Sequence, residues 1–388
     1  MKLAVVSHKV CWGPADAIFK TDGGFPVQVK AISELFDETV VVVPCERSPE
    51  PTGITPLTGQ NLSVRPLSVP KGTGMQRKVG FAFWLLENGL IIWREIGRAD
   101  AVHAPIPGDV GTIGMLIALV RRKPLFVRHC GNWAVRRTCA EFFWKWAMER
   151  FAGGRNVMMA TGGNDSPPSQ ENANIKWIFS TSLTQREMAA AAVTRELPAC
   201  GPLRLAIACR QEEGKGTDVV IESLAKVIER FPSVTLDVVG DGAFLPELKK
   251  RANTLGLQQH IVFHGRVEQK RVVELMKHAH IFCYPTSSSE GFPKVVLEAL
   301  ASGLPVITTK VSVLPDLIRR GCGILLEAPT SEELAAAIGT VASDPVLYRR
   351  MSECATTVAY DYTLEKWRDQ IGEALRRSWQ VASLTSAT

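Results

Sequence analysis

Short apolar runs alternate along this chain with longer segments that have the 3.6-residue period of an amphipathic helix. The strand-like runs occur at 3–6, 40–43, 101–103, 125–129, 203–208, 234–239, 261–264, 281–284 and 306–308. Because parallel strands need a crossover connection, usually a helix, this alternation predicts parallel sheets. The chain is therefore predicted to be an α/β protein that binds its ligands at the carboxyl ends of the strands.

The length of 388 residues suits two domains. A candidate hinge, Thr194–Pro202, lies near the middle of the chain and has the sequence TRELPACGP. We therefore expect a first domain at residues 1–195 and a second at residues 203–358.

Composition narrows the class of protein. A hydrophobic content of 46% is sufficient for packed cores, and a net charge of +6 with dispersed basic residues does not favour nucleic acid as a partner. The nine cysteines include no CxxC pair and indicate reduced thiols. The apolar start is too short for a signal peptide, and Ile113–Val120 is too short for a bilayer, which requires about 20 residues. A cytoplasmic protein, soluble or peripherally bound to a membrane, is expected.

The stretch 282–308 carries the most specific pattern. It predicts a strand, a polar loop and an apolar helix that begins at Pro293, with Glu298 inside the helix and Glu290 eight positions earlier. The N–H groups of Lys294 and Val295 at the helix start would suit a phosphate. Acids on both sides of such a site suit a sugar linked through a diphosphate to a ribose. The alternative is a solvated loop acid and a core acid paired with a nearby Arg or Lys.

Three further positions are candidates for binding. Arg210 and Lys215 stand on a glycine-containing loop before a helix, and two such cations suit a diphosphate. Their alternative role is pairing with Glu212 and Glu213 in a solvated loop. His129 ends a predicted strand, where a histidine either packs or acts near a substrate.

A pair of glycines, Gly23 and Gly24, lies between the first strand and its helix. Glycines there let a backbone approach a ligand closely, although the loop could simply turn, and no GxGxxG fingerprint is present.

The E-x7-E spacing, the EGFP start and the ALASG end resemble the donor-binding motif of the retaining glycosyltransferases of family four. That resemblance implies the GT-B architecture, in which two Rossmann-like domains face each other across a cleft and a final helix, here 359–382, returns to the first domain. An Asn-Gly-hydrophobic-Asp signature that family members carry near the hinge is absent from this sequence.

The resemblance also implies roles for the candidate residues. Glu290 would contact the transferred sugar and Glu298 the ribose, and His129 would lie near the reacting centre. Arg210 and Lys215 would bind the diphosphate and stabilise its departure, and the backbone of Arg266 and Val267 would meet the base. The full donor-binding set implied is Gly23, Gly24, Arg210, Lys215, Arg266, Val267, Glu290, Gly291, Phe292, Lys294, Val295 and Glu298, and the catalytic set is His129, Glu290, Arg210 and Lys215.

No DxD motif is available to hold a metal ion. The expected reaction is therefore metal-independent transfer of a hexose from a UDP- or GDP-linked sugar to an acceptor hydroxyl, with no further cofactor. Retention of configuration follows from the resemblance. Two alternatives stay open: a nucleotide-sugar epimerase of the same fold, and a catalytically silent protein that binds a nucleotide sugar.

The segment Ala134–Phe151 mixes Arg and Lys with Phe and Trp and predicts a basic aromatic helix. Such a helix can lie on an anionic membrane surface, where a lipid-linked or cell-surface polysaccharide acceptor would be met. It can equally be an amphipathic helix that packs on the sheet.

Overall fold

A computed structural model describes residues 1–388 except 14–17, 48–50, 52–53, 73, 134–135, 137, 164–165, 194, 198–200, 289–290, 319, 382–383 and 385–388, and also excludes the side chains of 74–76, 78 and 79. The chain divides into two compact units. The first unit comprises Met1–Ser182 and Leu364–Thr388, and the second comprises Leu183–Thr363.

The described part of the first unit contains a ten-stranded sheet that is mostly parallel. Its strands are β1 (Lys2–Val6), β2 (Cys11–Trp12), β3 (Lys20–Thr21), β4 (Glu38–Glu46), β5 (Thr55–Pro56), β6 (Leu62–Leu67), β7 (Ala101–Ile106), β8 (Leu125–His129), β9 (Asn156–Thr161) and β10 (Lys176–Ile178). They are ordered β10-β9-β8-β7-β1-β4-β2-β3-β5, and β6 pairs with β4. The valine-rich centre of β4 is buried, as expected of a strand covered on both faces.

Helices cover the two faces of this sheet and build two apolar clusters. The connecting helices are α1 (Phe25–Ser33), α2 (Gly74–Arg98), α3 (Asp109–Val120) and α4 (Cys139–Phe151). One cluster contains side chains of α2, α3 and α4, including Trp84, Ile92 and Met115. The other contains side chains of α1 together with those of the last helix of the chain.

The described second unit contains a six-stranded parallel sheet. Its strands are β11 (Arg204–Ala208), β12 (Thr235–Val239), β13 (Ile261–Gly265), β14 (Ile281–Tyr284), β15 (Val306–Thr309) and β16 (Gly323–Leu326). Its helices are α5 (Gln185–Ala191), α6 (Thr217–Arg230), α7 (Leu245–Thr254), α8 (Gln269–His278), α9 (Lys294–Ala301), α10 (Leu314–Ile318), α11 (Ser331–Ser343) and α12 (Pro345–Tyr360).

The strand order of the second unit, β13-β12-β11-β14-β15-β16, reverses direction between β11 and β14. The chain moves outward from β11 through β12 to β13 and then crosses back to β14. In open α/β sheets, ligands bind beyond the carboxyl ends of the strands where the order reverses. The loops that follow β11 and β14 therefore flank the expected binding crevice of this unit.

The final helix, α13 (Leu364–Trp379), belongs to the first unit. Trp367, Ile371 and Leu375 are fully buried in the same cluster as Leu3 and Phe36. The helix shares this cluster with α1, which accounts for its place in the first unit although it follows the second unit in sequence.

Several sequence-based boundaries need correction. Helix α4 begins at Cys139, where the Thr138 side chain and Glu141 form a capping box. Of the predicted helix Ala134–Phe151, residues 134, 135 and 137 lie outside the described residues. Helix α12 was not predicted, although Asp344 caps its first turn and Pro345 opens it. The first unit ends at Ser182 and not at 195, because α5 packs on α9 and α12 of the second unit.

Of the candidate hinge at Thr194–Pro202, residues 194 and 198–200 lie outside the described residues. No helix in the described part of the chain has the length and apolar character required to span a bilayer.

Candidate functional site

Two loops at the switch point of the second unit are joined by hydrogen bonds. The carbonyl of Gly214, in the loop after β11, accepts bonds from the N–H groups of Ser287 at 2.9 Å and Ser288 at 3.1 Å. The hydroxyl of Thr286 donates to the same carbonyl at 3.0 Å. One backbone oxygen of the first loop therefore organises the segment that leads from β14 towards α9.

Glycine is required on both sides of Lys215 in this junction. Gly216 has a φ of +86°, and a Cβ there would lie 2.4 Å from the carbonyl oxygen of Pro285. Gly214 has a φ of +80°, and its Cβ would lie 2.6 Å from the hydroxyl of Ser288. Both the left-handed backbone and the close approach exclude a side chain. The backbone of Lys215 is thus held between two glycines that touch the second loop.

Gln211 is fully buried within the same loop and holds its shape. Its amide nitrogen donates to the carbonyls of Val239 at 3.0 Å and Cys209 at 3.2 Å. Its amide oxygen accepts a bond from the Thr217 hydroxyl at 2.7 Å. The side chain therefore connects the ends of β11 and β12 with the first turn of α6. Sequence reasoning missed this residue, because a glutamine between charged residues has the pattern of a solvated loop.

Arg210 points into solvent and forms an ion pair with Glu212, with 3.1 Å between Nη1 and Oε1. This is the alternative partner foreseen from the sequence. An exposed pair of this kind contributes only about 0–1 kcal/mol. The guanidinium could therefore exchange this carboxylate for a phosphate at little cost.

Helix α9 starts one residue later than expected, at Lys294, and Pro293 stands at its N-cap position. Pro293 makes no side-chain capping bond to the first turn. Phe292, just before the helix, is buried and packs against Tyr362 at 5.7 Å between ring centroids. The positive end of the helix dipole, with Lys294 and Val295 in its first turn, therefore follows the loop that Gly214 anchors.

Glu298 lies in the middle of α9 and accepts a hydrogen bond from Nε2 of Gln269, with 2.9 Å to Oε1. Burial raises the pKa of Glu298 to about 7, while the bond from Gln269 and the charge of Lys294 act in the opposite direction. The hydrogen bond to Glu298 thus comes from an amide, while the charge of Lys294, one turn earlier, also favours the carboxylate. A carboxyl group with this pKa is half ionised near neutral pH and could accept hydrogen bonds from vicinal hydroxyls.

Gln269 also relates Glu298 to the predicted base-binding segment. It is the first residue of α8 and follows the connection from β13 that contains Arg266 and Val267. Arg266 is exposed and Val267 is partly buried. The bond between Gln269 and Glu298 therefore brings the start of α8 against α9, on the side of the expected ribose.

The candidates in the first unit form a separate group. Gly23 has a φ of +70°, and apart from its two chain neighbours none of the described residues lies within 4 Å of the position that its Cβ would take. Gly24 is the N-cap of α1. The pair thus leaves open space beside a helix start, as a ligand would require.

His129 ends β8 and is buried, with its ring edge-on to Trp133 at 5.3 Å between centroids. Burial lowers the pKa of His129 to about 4, so the imidazole is neutral near pH 7. A neutral ring could accept a proton or a hydrogen bond from a substrate hydroxyl. By contrast, His103 lies within β7 and stacks on Phe126 at 4.3 Å, which makes it a core residue.

The structure therefore places the predicted residues in two groups. The first group lies in the second unit, on loops and a helix that border its switch point, and comprises Arg210, Lys215, Phe292, Lys294 and Glu298. Gly23, Gly24 and His129 belong to the first unit. Glu290, the predicted contact of the transferred sugar, lies outside the described residues.

Comparison with known proteins identifies the family of the second part of the chain. Residues 202–358 match the family model described as glycosyl transferases group 1. This segment is a group 1 glycosyltransferase domain. The resemblance noted in the sequence is thereby confirmed for the second unit, which contains the loops described above.

The curated relatives match over about two fifths of this chain. D-inositol 3-phosphate glycosyltransferase of Streptomyces griseus subsp. griseus is 34% identical over 158 residues, which are 38% of this chain and 33% of that protein. Phosphatidyl-myo-inositol mannosyltransferase of Mycobacterium leprae is 32% identical over 154 residues, 39% of this chain and 40% of that protein. The match thus spans only a third to two fifths of these relatives.

Solved structures extend the similarity to the whole chain. HepE of Anabaena, in complex with UDP, has a TM-score of 0.72 and 18% identity, and the alignment covers 97% of this chain and 100% of HepE. WaaG, a glycosyltransferase involved in lipopolysaccharide biosynthesis, has a TM-score of 0.63 and 17% identity, with coverage of 96% and 99%. These similarities confirm the GT-B fold expected from the sequence.

Proposed function

We propose that this protein transfers a hexose from a nucleoside diphosphate sugar to a hydroxyl of a carbohydrate or lipid-linked acceptor. The proposal rests chiefly on the junction at the switch point of the second unit, where the carbonyl of Gly214 binds the segment 286–288. This junction joins the loop of Arg210 and Lys215 to the chain that enters α9. Two cations and the positive end of a helix are the features that stabilise a diphosphate.

The proposed mechanism follows from where charge develops. When the bond from the sugar to the diphosphate breaks, negative charge accumulates on the departing phosphate. Arg210, Lys215 and the first turn of α9 would stabilise that charge without a metal ion. Glu298 would accept hydrogen bonds from the ribose hydroxyls and Glu290 would contact the sugar. Retention of configuration is proposed from the family resemblance. Because neither acid is proposed as a nucleophile, retention would require the acceptor oxygen to bond to the anomeric carbon on the face that the diphosphate leaves, and the proton of the acceptor hydroxyl would pass to an oxygen of the departing diphosphate.

His129 is proposed to contact the sugar from the first unit. Its low pKa supports a role as a neutral hydrogen-bond partner near the reacting centre. Gly23 and Gly24 would let the acceptor and the donor phosphate approach the backbone of the same unit.

The partners of the reaction are proposed from the relatives. The complex of HepE with UDP supports a nucleotide-linked donor, with UDP or GDP as the carrier. The name of the M. leprae relative supports a glycolipid acceptor, and that of WaaG supports a role in cell-surface polysaccharide synthesis. We therefore propose a cytoplasmic reaction at or near a membrane.

The test is release of nucleoside diphosphate from a panel of UDP- and GDP-sugars, with and without extracted lipid and oligosaccharide acceptors. Lys215→Ala should lower kcat/KM by roughly 10²- to 10³-fold, the usual cost of losing one pre-aimed donor. Lys226→Ala is the matched control, since Lys226 pairs with Glu332 on an exposed face of α6 and should leave turnover unchanged.

Three outcomes would overturn the proposal. Turnover of Lys215→Ala close to that of the parent would remove the proposed role of the cations. Conversion of a nucleotide sugar to its epimer without an acceptor would favour the epimerase. Tight nucleotide binding with no transfer to any acceptor would favour a binding protein.

A further inference from the structure

An exposed apolar stripe runs along one side of α2 in the first unit. Its members are Phe83, Leu86, Leu90 and Trp93, spaced three or four residues apart, so they share one face of the helix. Phe83 is 70% exposed and Leu86 is 81% exposed. The opposite face of α2 already supplies the core, through the buried residues Trp84, Asn88, Ile92 and Ile96. Packing within the unit therefore does not account for the stripe.

The neighbouring helices extend this apolar surface. Leu116 and Val120 of α3 are exposed. Arg121, the residue after α3, contacts α2 through its guanidinium carbon, which lies 4.7 Å from the ring centroid of Trp93. Phe142 and Trp146 of α4 are also exposed. Exposed apolar patches of more than a few hundred Å² generally mark a surface that binds a protein or a membrane.

Helix α4 is linked to α3 by the bond from Nε1 of Trp144 to the Thr112 hydroxyl, at 2.8 Å. The outer surfaces of α2, α3 and α4 thus carry apolar and aromatic side chains on three consecutive connections of one sheet. We call this the apolar face of the first unit.

Basic side chains collect at one end of the apolar face. Arg94, Arg98 and Arg122 are exposed there, and Arg121 and Lys123 are partly buried beside them. Near them, Glu95 is buried and bonded to Arg98 at 3.3 Å. Two exposed acids lie nearby, Glu87 beside the stripe and Asp100 just after the helix. Cations therefore predominate where the stripe ends.

We propose that the apolar face of the first unit binds the surface of an anionic lipid bilayer. Aliphatic and aromatic side chains on one side of a helix insert into the headgroup region, and adjacent arginines bind lipid phosphates. The sequence had pointed to residues 134–151 for such contact. The structure assigns the larger exposed surface to α2, with α4 at its border. This proposal concerns binding alone and stands independently of the proposed reaction.

A second copy of this chain fits the same face less well. A symmetric dimer apposes the same patch on both subunits. At the other end of α2, Arg77 is paired with Asp109, with 3.1 Å between Nη2 and Oδ2. With the two copies of α2 parallel, such a dimer would bring the exposed Arg94 and Arg98 close to the same arginines of the second copy.

The experiment is co-sedimentation of the full-length protein with vesicles of phosphatidylcholine alone and of phosphatidylcholine with phosphatidylglycerol. We expect binding to the anionic vesicles at low salt, weak binding to neutral vesicles, and release as salt increases. Leu86→Ser combined with Leu90→Ser should reduce the partition coefficient at least tenfold. Arg94→Glu combined with Arg122→Glu should abolish the preference for anionic vesicles.

Val346→Ser is the matched control, because Val346 is 80% exposed on α12 of the second unit. It should bind vesicles as the parent does, and thermal melting should confirm that every variant is folded. Failure of the parent to bind anionic vesicles would overturn the proposal. So would unchanged binding by the double-leucine variant, or a parent dimer that this variant dissociates.

Discussion

The carboxyl group of Glu298 offers a test of the site that does not require the acceptor. Burial raises its pKa from an ordinary value of 4.5 to about 7. If this group accepts hydrogen bonds from a ribose, the bound state requires the ionised form. Nucleotide binding should then release a proton wherever the free protein still holds one, and affinity should rise with pH.

The size of the pH effect on affinity follows from the pKa of Glu298. With a pKa of about 7, the group is roughly 10% ionised at pH 6 and roughly 90% ionised at pH 8. Affinity for the nucleoside diphosphate should therefore weaken about tenfold between pH 8 and pH 6, which is about 1.4 kcal/mol. The diphosphate itself also gains a proton in this range. Glu298→Gln is the control, because it keeps the ligand titration and loses that of the carboxyl group.

The assay is titration calorimetry with UDP and GDP at pH 6, 7 and 8 in two buffers of different ionisation enthalpy. The parent should release more protons at pH 6 than Glu298→Gln does, and only the parent should show the extra tenfold change of affinity between pH 6 and pH 8. Identical pH profiles for the two proteins would refute the reasoning.

The pH dependence of folding stability without ligand provides a second check of the raised pKa of Glu298, and its sign is opposite to that of the affinity. For a carboxyl group whose folded pKa is raised, stability is greatest below pH 4.5 and is lost as the pH increases towards 7. Glu298→Gln should remove that loss.

Two further predictions concern the loop after β11. Gln211→Leu should lower the free energy of unfolding by about 1–3 kcal/mol, because three buried partners lose their bonds, and it should raise KM for the donor more than Lys226→Ala does. Unchanged melting and KM would contradict that role. Gly216→Ala should destabilise the second unit. Gly80→Ala is the comparison, because Gly80 lies within α2 and the nearest atom to its Cβ would be 3.6 Å away. This variant should be neutral or stabilising by up to about 1 kcal/mol. Equal melting temperatures for these two variants would contradict the close approach to Pro285.

The strands and helices could be predicted from the sequence because the hydrophobic period of each is visible within a short segment. The runs at 203–208 and 281–284 are buried on both faces and read as strands from composition alone. The motif around Glu298 was likewise visible, because an acid within an apolar helix is unusual. Gly214 and Gly216 could be noticed only as loop glycines, since their partners at 285–288 lie about 70 positions away in sequence.

What the sequence could not supply were contacts between distant segments. The bond of Gln269 to Glu298 joins two helices, and the buried Gln211 joins two strand ends, so neither has a local pattern. The start of α4 was not located because the helical period of apolar residues extends to positions before Thr138, and the capping box that begins the helix was overlooked. The stripe on α2 could not be recognised from the sequence, because periodicity cannot tell which of two apolar sides faces the core.

The position of α13 has a consequence for how the protein is made. The second unit is complete once residue 363 has been synthesised, whereas the first unit lacks Trp367, Ile371 and Leu375 until the last helix is translated. On the ribosome the later unit can thus mature before the earlier one, which reverses the usual order of domain folding. Until then the cluster around Leu3 and Phe36 is incomplete, and a nascent chain stalled before α13 would be a natural client for chaperones.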